Sequence, residues 1–288
     1  MVIRGIPVRV RLVSIFKNKI AVVTGGGSGI GRALARNLAS QGADVVLADV
    51  QHDAAMTVAE GICESGGKAS AHSLDVTDCG AVESFVGRIA DEEGRLDYMF
   101  NNAGIAVLGE FRYLPSADWK RILDVNVSGV FAGTAAAYAV MIRQGNGHIV
   151  NTASVAGLVP ALGLVAYCAS KHAVVGLSTS LRAEAAVHGV NVSVVCPGFI
   201  KTPMLESKTV GTPTDEKTTA RILKLAITPE ECAAKALQGV ANNKAVIPVT
   251  AHARAMWAIQ RCFPSLMYAY SRRMAEKMHQ GQGSEASI

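Results

Sequence analysis

The hydrophobic positions of this chain follow two alternating periods. Short β-branched, apolar runs predict strands, and between them apolar residues recur every three or four positions, as on the buried face of a helix. The predicted strands cover 20–23, 44–48, 69–74, 96–101, 147–152, 191–196 and 245–248, and the predicted helices cover 31–41, 53–65, 81–93, 117–143, 166–188 and 229–240. Strands that are nearly all apolar and alternate with helices indicate a sheet covered on both faces. The pattern therefore predicts a single α/β domain with a doubly wound, parallel, seven-stranded sheet.

One predicted helix is apolar around its whole circumference. Residues 127–141 read VSGVFAGTAAAYAVM and carry no charged side chain. Covering a sheet uses only one stripe of a helix, so a helix of this kind is buried on more than one side. We expect it to form a subunit interface with the helix over 166–188, in a homodimer or homotetramer. The alternative is that the C-terminal tail of the same chain folds over it.

Composition and charge narrow the class of protein. The 288 residues are 50% hydrophobic and only 5% aromatic, and the six cysteines form no C-x-x-C pair. Neither a disulfide framework nor a zinc site is indicated, so we expect reduced thiols and a cytoplasmic protein. Basic residues without interleaved aromatics do not favour nucleic-acid binding. No apolar run approaches the ~18 residues that span a bilayer.

The charge is uneven along the chain. No acidic residue precedes Asp44, whereas five basic residues lie within the first 19 positions of a chain with a formal net charge of +5; they are Arg4, Arg9, Arg11, Lys17 and Lys19. Residues 1–17 are therefore expected to form a basic extension, either a plain one or a transit or membrane-touching arm. The catalytic domain is expected over 18–250, followed by a tail over 251–288.

A glycine-rich turn joins the first predicted strand to the first predicted helix. It reads TGGGSGIG at 24–31. Such a turn lets the backbone approach a pyrophosphate, which then faces free N–H groups and the positive end of the helix. The residues expected to touch a dinucleotide here are Gly25, Ser28, Gly29, Ile30 and Gly31.

An acidic residue ends the second predicted strand. Asp49 lies 18 positions after Gly31 (49 − 31), close to the spacing expected for a carboxylate that accepts ribose hydroxyls. The same carboxylate repels a 2′-phosphate, and Ser28 adds no positive charge. The cofactor is therefore expected to be NAD, with NADP disfavoured.

A phenol and an ammonium lie four residues apart in the predicted helix 166–188. Residues 167–171 read YCASK, and positions i and i+4 lie on one helical face. A phenol has a reference pKa near 10, so it needs a nearby positive charge to act as a base at neutral pH. Lys171, together with an oxidised nicotinamide ring, would provide that charge to Tyr167.

These motifs, taken in order, resemble those of the short-chain dehydrogenase/reductase family. They are TGGGSGIG at 24–31, NNAG at 101–104, Asn126, Ser154, YCASK at 167–171 and PGFIKTPM at 197–204. The resemblance covers about 19–249 and implies a Rossmann-type domain. It also implies that Ser154 donates to the substrate oxygen, that Tyr167 exchanges the proton, and that Lys171 bonds the nicotinamide ribose. Asn126 would hold a water relay, or would simply satisfy backbone groups inside a helix.

The resemblance implies further contacts with the cofactor. Asp75 and Val76 would contact the adenine, although Asp75 is also a suitable cap or turn residue. The remaining residues would follow the adenosine ribose or close over the nicotinamide amide; they are Asn102, Ala103, Gly104, Pro197, Gly198, Ile200 and Thr202. No metal is expected, because Tyr and Ser supply the proton and oxyanion roles.

The surroundings of Ser154 indicate the substrate class. The segment SVAGLVPALGLVAY, residues 105–108, Phe199, Met204 and Leu205 carry no Arg or Lys. We expect an apolar alcohol or ketone, such as a steroid, retinoid, lipid or aromatic compound. A polar stretch within 201–228 is expected to form a mobile lid.

The tail mixes apolar and basic residues over 252–278. It is expected either to pack over an active site or to contact a membrane surface.

The leading interpretation is an NAD-dependent oxidoreductase that interconverts a secondary alcohol and a ketone. One alternative is an NAD-responsive binding protein with little turnover, against which the full Ser154, Tyr167 and Lys171 set argues. Another is an epimerase or dehydratase with tightly held NAD, which would need a larger substrate domain than the region after Cys196 provides.

Overall fold

The computed structural model describes residues 14–211 and 223–283. Within these residues the chain forms nine strands: β1 (Ile20–Thr24), β2 (Asp44–Asp49), β3 (Lys68–Ser73), β4 (Tyr98–Asn101), β5 (Leu108–Gly109), β6 (Gly147–Thr152), β7 (Val190–Cys196), β8 (Thr209–Val210) and β9 (Val246–Pro248). Seven of them form one sheet in the order β3-β2-β1-β4-β6-β7-β9. Every pair is parallel. The predicted sheet is therefore confirmed, with ends that differ by a residue or two.

The same residues contain nine α-helices. They are α1 (Gly29–Ser40), α2 (His52–Glu64), α3 (Cys79–Glu92), α4 (Ser116–Leu123), α5 (Gly129–Gln144), α6 (Val165–Ala186), α7 (Pro229–Ala241), α8 (Ala251–Cys262) and α9 (Pro264–Gly283).

The sheet separates two hydrophobic cores. In β1, Ala21 and Val23 belong to the core covered by α1, α2 and α7. Ile20 and Val22 belong to the core covered by α3, α5 and α6. Successive strand residues point to opposite faces, and all five residues of β1 are buried. Helices on both faces explain why the central strands are apolar without interruption.

The predicted helix over 117–143 is continuous but not uniform. A π-helical segment, Asp124–Ser128, lies between α4 and α5. The wider turn carries Asn126, whose side chain bonds backbone groups of another segment. The sequence pattern predicts one unbroken helix here, because the single π-helical turn contains no glycine or proline that would mark it in the sequence.

The same composite helix, Ser116–Gln144, is the one described helix that is long and apolar enough to cross a membrane. Its most apolar window has a mean hydropathy of 1.6 and is 56% buried. Val140 and Met141 lie in the core beneath the sheet. The position of the helix in the core accounts for its composition.

A second, short sheet was not predicted. β5 and β8 form an isolated parallel pair, and Leu108 N donates to Lys208 O at 2.9 Å. The start of the predicted lid over 201–228 is thereby tied to the wall at 105–108. Residues 212–222 of that lid and residues 1–13 of the predicted N-terminal extension lie outside the described residues.

The tail divides into two parts. In α8, Ala253 is buried, and Met256 and Trp257 pack with Val155 and Val159, which follow Ser154 in the chain. This part of the tail therefore lies against the segment that follows Ser154 in the same chain. Residues 264–276 of α9 are largely exposed.

Candidate functional site

The Tyr167 phenol and the Lys171 ammonium lie together on one face of α6. Both residues are buried, at 9% and 2% exposure. The Lys171 Nζ atom lies 5.5 Å from the centre of the Tyr167 ring and donates to Thr152 O at 2.9 Å. Since Thr152 ends β6, this bond holds the ammonium at the carboxyl edge of the sheet, where open α/β sheets bind ligands.

Ser154 reaches the same place from β6. It is buried and extended, and its Oγ accepts from Ala156 N at 3.1 Å, which caps the short 3-10 turn Val155–Gly157. The hydroxyl also lies close enough to Tyr167 to act to lower the pKa of the phenol. Ser154, Tyr167 and Lys171 therefore lie together at the carboxyl edge of the sheet.

Burial dominates the electrostatics of this pair. It raises the pKa of Tyr167 to about 12, and the neighbouring Ser154 hydroxyl only partly opposes this rise. Burial also lowers the pKa of Lys171 to about 8, with Cys196 acting in the opposite direction. In the protein alone the ammonium therefore does not make the phenol a base at neutral pH, so a further positive charge is needed beside it.

Asn126 lies inside the π-helical segment and is fully buried. Its Oδ1 accepts from Ile105 N at 2.8 Å, and its Nδ2 donates to Ile105 O at 2.9 Å. The same Nδ2 atom donates to Ser170 Oγ at 3.1 Å. Asn126 thus joins the segment after β4 to α6, instead of only satisfying its own helix.

Gly104 lies between Asn126 and Lys171. A Cβ atom on Gly104 would lie 3.2 Å from Asn126 Oδ1 and 3.3 Å from Lys171 Nζ. A side chain here would crowd both groups. The glycine of NNAG thus keeps the space beside the ammonium open.

The glycine turn at 24–31 forms a cradle. Gly25 and Gly29 have φ values of +65° and +50°, which glycine adopts readily. A Cβ atom on Gly31 would overlap the Gly25 carbonyl oxygen. Ser28 makes no side-chain cap bond, and the first turn of α1 contains no acidic residue. The N–H groups at the start of α1 are therefore suited to a pyrophosphate, with Ile30 in the same turn.

Asp49 ends β2 beside this cradle. Its Oδ2 accepts from Gly27 N at 2.9 Å, and its Oδ1 accepts from Gln51 N at 2.9 Å. Each carboxylate oxygen has a second lone pair, so both can still accept a ribose hydroxyl. Its hydrogen-bond partners, Gly27 and Gln51, bring no cation that would attract a 2′-phosphate.

Asn102 supports the turn from below. Its Nδ2 donates to Thr24 O at 3.2 Å, and its main-chain N donates to Thr24 Oγ1 at 3.0 Å. Ala103 N also donates to Thr24 Oγ1, at 3.2 Å. The Asn102 amide is thus occupied by backbone carbonyl groups of the glycine turn. Any contact of Asn102 with a ribose would therefore use its main chain.

The residues expected at the adenine lie after β3. The Asp75 Oδ1 accepts from Thr77 N at 2.9 Å and from Thr77 Oγ1 at 2.8 Å, which makes the Asx-type turn that the sequence left open. Val76 is buried, and its side chain lies 2.9 Å from where a Gly129 Cβ would be. Of these two residues, only Asp75 has an exposed side chain that an adenine ring could contact.

The loop at 197–202 lies after β7, on the side of the carboxyl edge away from β2 and β3. Val155 N donates to Pro197 O at 2.7 Å, and Ile200 bridges to Ile227. Thr202 Cγ2 would lie 3.2 Å from a Cβ on Gly29. The loop therefore connects the segment after Ser154 to the glycine turn.

His252 is a further residue at this edge that none of the sequence motifs identifies. Its Nε2 accepts from Phe199 N at 3.2 Å, and Gly198 has no room for a Cβ atom against it. The one signal in the sequence is its place just after the last strand, whose carboxyl end reaches the same edge.

Together these residues form one groove along the carboxyl edge of the sheet. The carboxylate at the end of β2, the cradle after β1 and the Tyr167–Lys171 pair beside β6 follow one another in the strand order, and they fit a nicotinamide dinucleotide. Among residues 14–211 and 223–283, no group of three or more His, Cys, Asp or Glu side chains is placed to hold a metal ion.

Comparisons with known proteins agree with this geometry. The family model for short chain dehydrogenase matches residues 19–212. "Putative oxidoreductase SadH" of Mycobacterium tuberculosis is 38% identical over 267 residues, covering 91% of this chain and 96% of that protein. Cyclohexanol dehydrogenase of an Acinetobacter species is 39% identical over 193 residues, covering 66% and 76%. The chain spans about half the length, 45%, of "Probable oxidoreductase EphD" of Mycobacterium tuberculosis, at 36% identity.

A solved structure has the same fold. A short chain dehydrogenase/reductase from Burkholderia phymatum in complex with NAD superposes with a TM-score of 0.78 and 30% identity, covering 87% of this chain and 95% of that one.

Proposed function

Because the chain belongs to the short-chain dehydrogenase/reductase family, we propose that it is an NAD-dependent oxidoreductase that interconverts a secondary alcohol and a ketone. The observation that carries the proposal is the meeting of Ser154, Tyr167 and Lys171 at the sheet edge that also holds the glycine cradle. A phenol, a hydroxyl and an ammonium in this arrangement suit proton exchange at an alcohol oxygen.

The chemistry divides between the chain and the cofactor. In the oxidation direction, Ser154 donates a hydrogen bond to the alcohol oxygen, and the Tyr167 phenolate accepts the alcohol proton at Oη. When bound, an oxidised nicotinamide supplies the hydride acceptor and a positive charge. Lys171 stabilises the phenolate electrostatically. In the reduction direction, the Tyr167 phenol returns its proton to the ketone oxygen.

The preference for NAD rests on Asp49. Its carboxylate is fixed by Gly27 and Gln51, and both oxygens retain a free lone pair. Ribose hydroxyls would donate to them, whereas a 2′-phosphate would be repelled by the same charge.

The proposed substrate is an uncharged, apolar alcohol or ketone. Leu162, in the segment after Ser154, and Leu205, in the segment after the loop at 197–202, have exposed apolar side chains that would line the substrate site. Two cations beside it are paired with acids, Arg112 with Glu110 at 2.8 Å and Lys208 with Asp118 at 2.6 Å. The charge of each cation is therefore balanced locally, which weakens its attraction for a substrate carboxylate. The name of the cyclohexanol dehydrogenase relative is consistent with an uncharged secondary alcohol.

The protein is also proposed to be a cytoplasmic homo-oligomer. An apolar groove between α5 and α6 is lined by Val127, Phe131, Ala173 and Leu177, and Phe131 is 57% exposed. We propose that a second copy covers it. All six cysteines are free thiols, as suits a reducing compartment.

The exposed part of the tail is proposed to touch an anionic membrane surface. Phe263, Leu266 and Tyr270 are 63%, 61% and 57% exposed. Arg273 follows them at helical spacing, since 266, 270 and 273 are positions i, i+4 and i+7. Aromatic and aliphatic side chains beside arginine suit a headgroup layer with negative charge.

The test is to incubate the purified protein with NAD or NADP and a panel of apolar secondary alcohols, and to follow the reduced cofactor. We expect turnover with NAD. Cofactor binding without turnover on any substrate would favour the regulatory alternative, and redox-neutral conversion with retained NAD would favour an epimerase or dehydratase.

A further inference from the structure

The C-terminal segment reaches the cofactor loop at one point. After β9 the chain passes through Thr250, which is 2% exposed and whose Oγ1 accepts from Ala253 N at 3.2 Å. This cap fixes the start of α8 and places His252 in its first turn. α8 is in turn held by Ala253, Met256 and Trp257, which pack with the segment after Ser154.

The His252 ring contacts the loop at 197–202 in three ways. Its Nε2 accepts the main-chain N–H of Phe199 at 3.2 Å. The ring stacks on the Phe199 ring, with centroids 5.3 Å apart and planes 25° apart. A Cβ atom on Gly198 would overlap His252 Nε2 and Thr250 Oγ1. The fit therefore involves a hydrogen bond, a ring contact and the shape of the preceding glycine.

This hydrogen bond requires the neutral ring. Nε2 accepts from a backbone N–H only when it carries no proton, so the ring proton lies on Nδ1. The Thr250 hydroxyl lies 3.1 Å from the same Nε2 atom. Burial lowers the pKa of His252, which favours the neutral form.

Other contacts of the loop are between main-chain groups. Val155 N donates to Pro197 O at 2.7 Å, Ile227 N donates to Phe199 O at 3.2 Å, and Lys201 N donates to Ile227 O at 3.0 Å. In the part of the chain that the structure describes, His252 is the one side chain that hydrogen-bonds the main chain of residues 197–202. Its loss would free Phe199 N on the side that faces the tail.

We propose that His252 is a positioning residue for the cofactor: it holds the loop at 197–202 in the closed position over the nicotinamide end of the groove. The inference rests on the proposed function, since it assumes a nicotinamide cofactor in this groove. A loop that is already ordered loses less conformational entropy when the cofactor binds. His252 touches none of the reacting atoms, so its effect should fall on cofactor affinity and not on the chemical step.

The test compares His252→Ala with His252→Gln. We expect His252→Ala to raise KM for NAD and the dissociation constant of NAD about tenfold, the effect of leaving one buried N–H unpaired. At saturating NAD, kcat should change less than about threefold, because the interaction is not specific to the transition state. The Gln side chain offers an acceptor at nearly the position of Nε2, so His252→Gln should recover most of the affinity.

The matched control is His188→Ala. His188 is exposed and precedes β7, at the opposite edge of the sheet, so this change should leave both constants as in the wild type. Melting temperatures should be recorded for all three variants. A fall in kcat that parallels a fall in melting temperature, without recovery in His252→Gln, would reduce His252 to a structural residue and overturn the inference.

The two proposals fail in different ways. If the wild-type protein turns over alcohols while His252→Ala binds NAD with unchanged affinity, the positioning role is wrong and the oxidoreductase stands. If the wild-type protein shows no turnover, the oxidoreductase is wrong, and titration of NAD into the free protein still decides whether His252 shapes a nucleotide site.

Discussion

The Lys171 Nζ atom lies 5.5 Å from the centre of the Tyr167 ring, one helical turn away on α6. It does not bond the phenol but donates to Thr152 O. The ammonium is thus held beside the ring without itself occupying the phenol oxygen. Replacing the phenol should therefore remove the proton-exchanging group and leave the cofactor groove intact.

Tyr167→Phe should lower kcat by about a hundredfold or more, the usual contribution of a positioned acid or base. NAD binding, measured by calorimetric titration, should stay within about threefold of the wild type, since a single lost hydrogen bond contributes little. Tyr138→Phe is the control, because Tyr138 packs against His188 on the edge away from the groove. Equal activity in Tyr167→Phe would assign the proton exchange to another residue.

The charge of the cofactor should move the pKa of the phenol. Burial raises the pKa of Tyr167 to about 12 in the protein alone, so it keeps its proton through the neutral range. A nearby positive charge favours phenolate and lowers the pKa. Oxidised NAD should therefore lower it, and reduced NAD, with a neutral ring, should lower it less.

This shift can be read as the difference in phenolate absorbance between the wild type and Tyr167→Phe during a pH titration. In Lys171→Met the pKa with oxidised NAD should be higher than in the wild type, since one of the two positive charges is lost. An identical titration with and without NAD would mean that the nicotinamide does not lie beside Tyr167.

What the sequence can predict depends on how local the cause is. Tyr167 and Lys171 share a face because of the helical period. The glycine turn is recognisable because a strand, a glycine-rich turn and a helix follow one another within one short segment. The sheet follows from the strand patterns in the same way.

The parts that the sequence misses depend on contacts between distant segments. The π-helical bulge at Asp124–Ser128 accompanies the bonds between Asn126 and Ile105, 21 residues away. The orientation of the Asn102 amide depends on Thr24, and the role of His252 depends on Phe199. No periodicity or spacing encodes such pairs.

Asp49 should decide between the two cofactors. Asp49→Asn keeps an oxygen that can accept from Gly27 N but removes the charge that repels a 2′-phosphate. The ratio of kcat/KM for NAD over NADP should fall about tenfold or more, because hydrogen bonds to charged groups are stronger than neutral ones. A wild-type preference for NADP would contradict the role given to Asp49.

The apolar groove between α5 and α6 should be a subunit interface. Phe131→Glu places a charge in that groove and should shift the protein to a smaller assembly, measured by light scattering after size exclusion. Phe111→Glu is a matched control, because Phe111 is 62% exposed, similar to the 57% of Phe131, but lies in the segment before α4. The same mass for both variants and the wild type would place the interface elsewhere.

One exposed face of α9 carries Leu266, Tyr270 and Arg273, and this stripe should bind anionic vesicles. Phosphatidylglycerol-containing vesicles should sediment the wild-type protein more strongly than phosphatidylcholine vesicles, because Arg273 and its basic neighbours add attraction to the anionic headgroups. Leu266→Ser with Tyr270→Ser should weaken this binding severalfold by removing apolar contact area.

The control for the stripe is Val187→Ser, since Val187 is 80% exposed but lies at the end of α6. Its binding should match the wild type if the effect is specific to α9 and does not reflect surface hydrophobicity in general. If the paired variant instead changes the mass of the assembly while vesicle binding is absent throughout, a second copy of the chain covers the stripe and the membrane contact is wrong. The basic charge of the stripe favours the membrane contact, because a basic surface is repelled by its own copy and attracted by an anionic lipid layer.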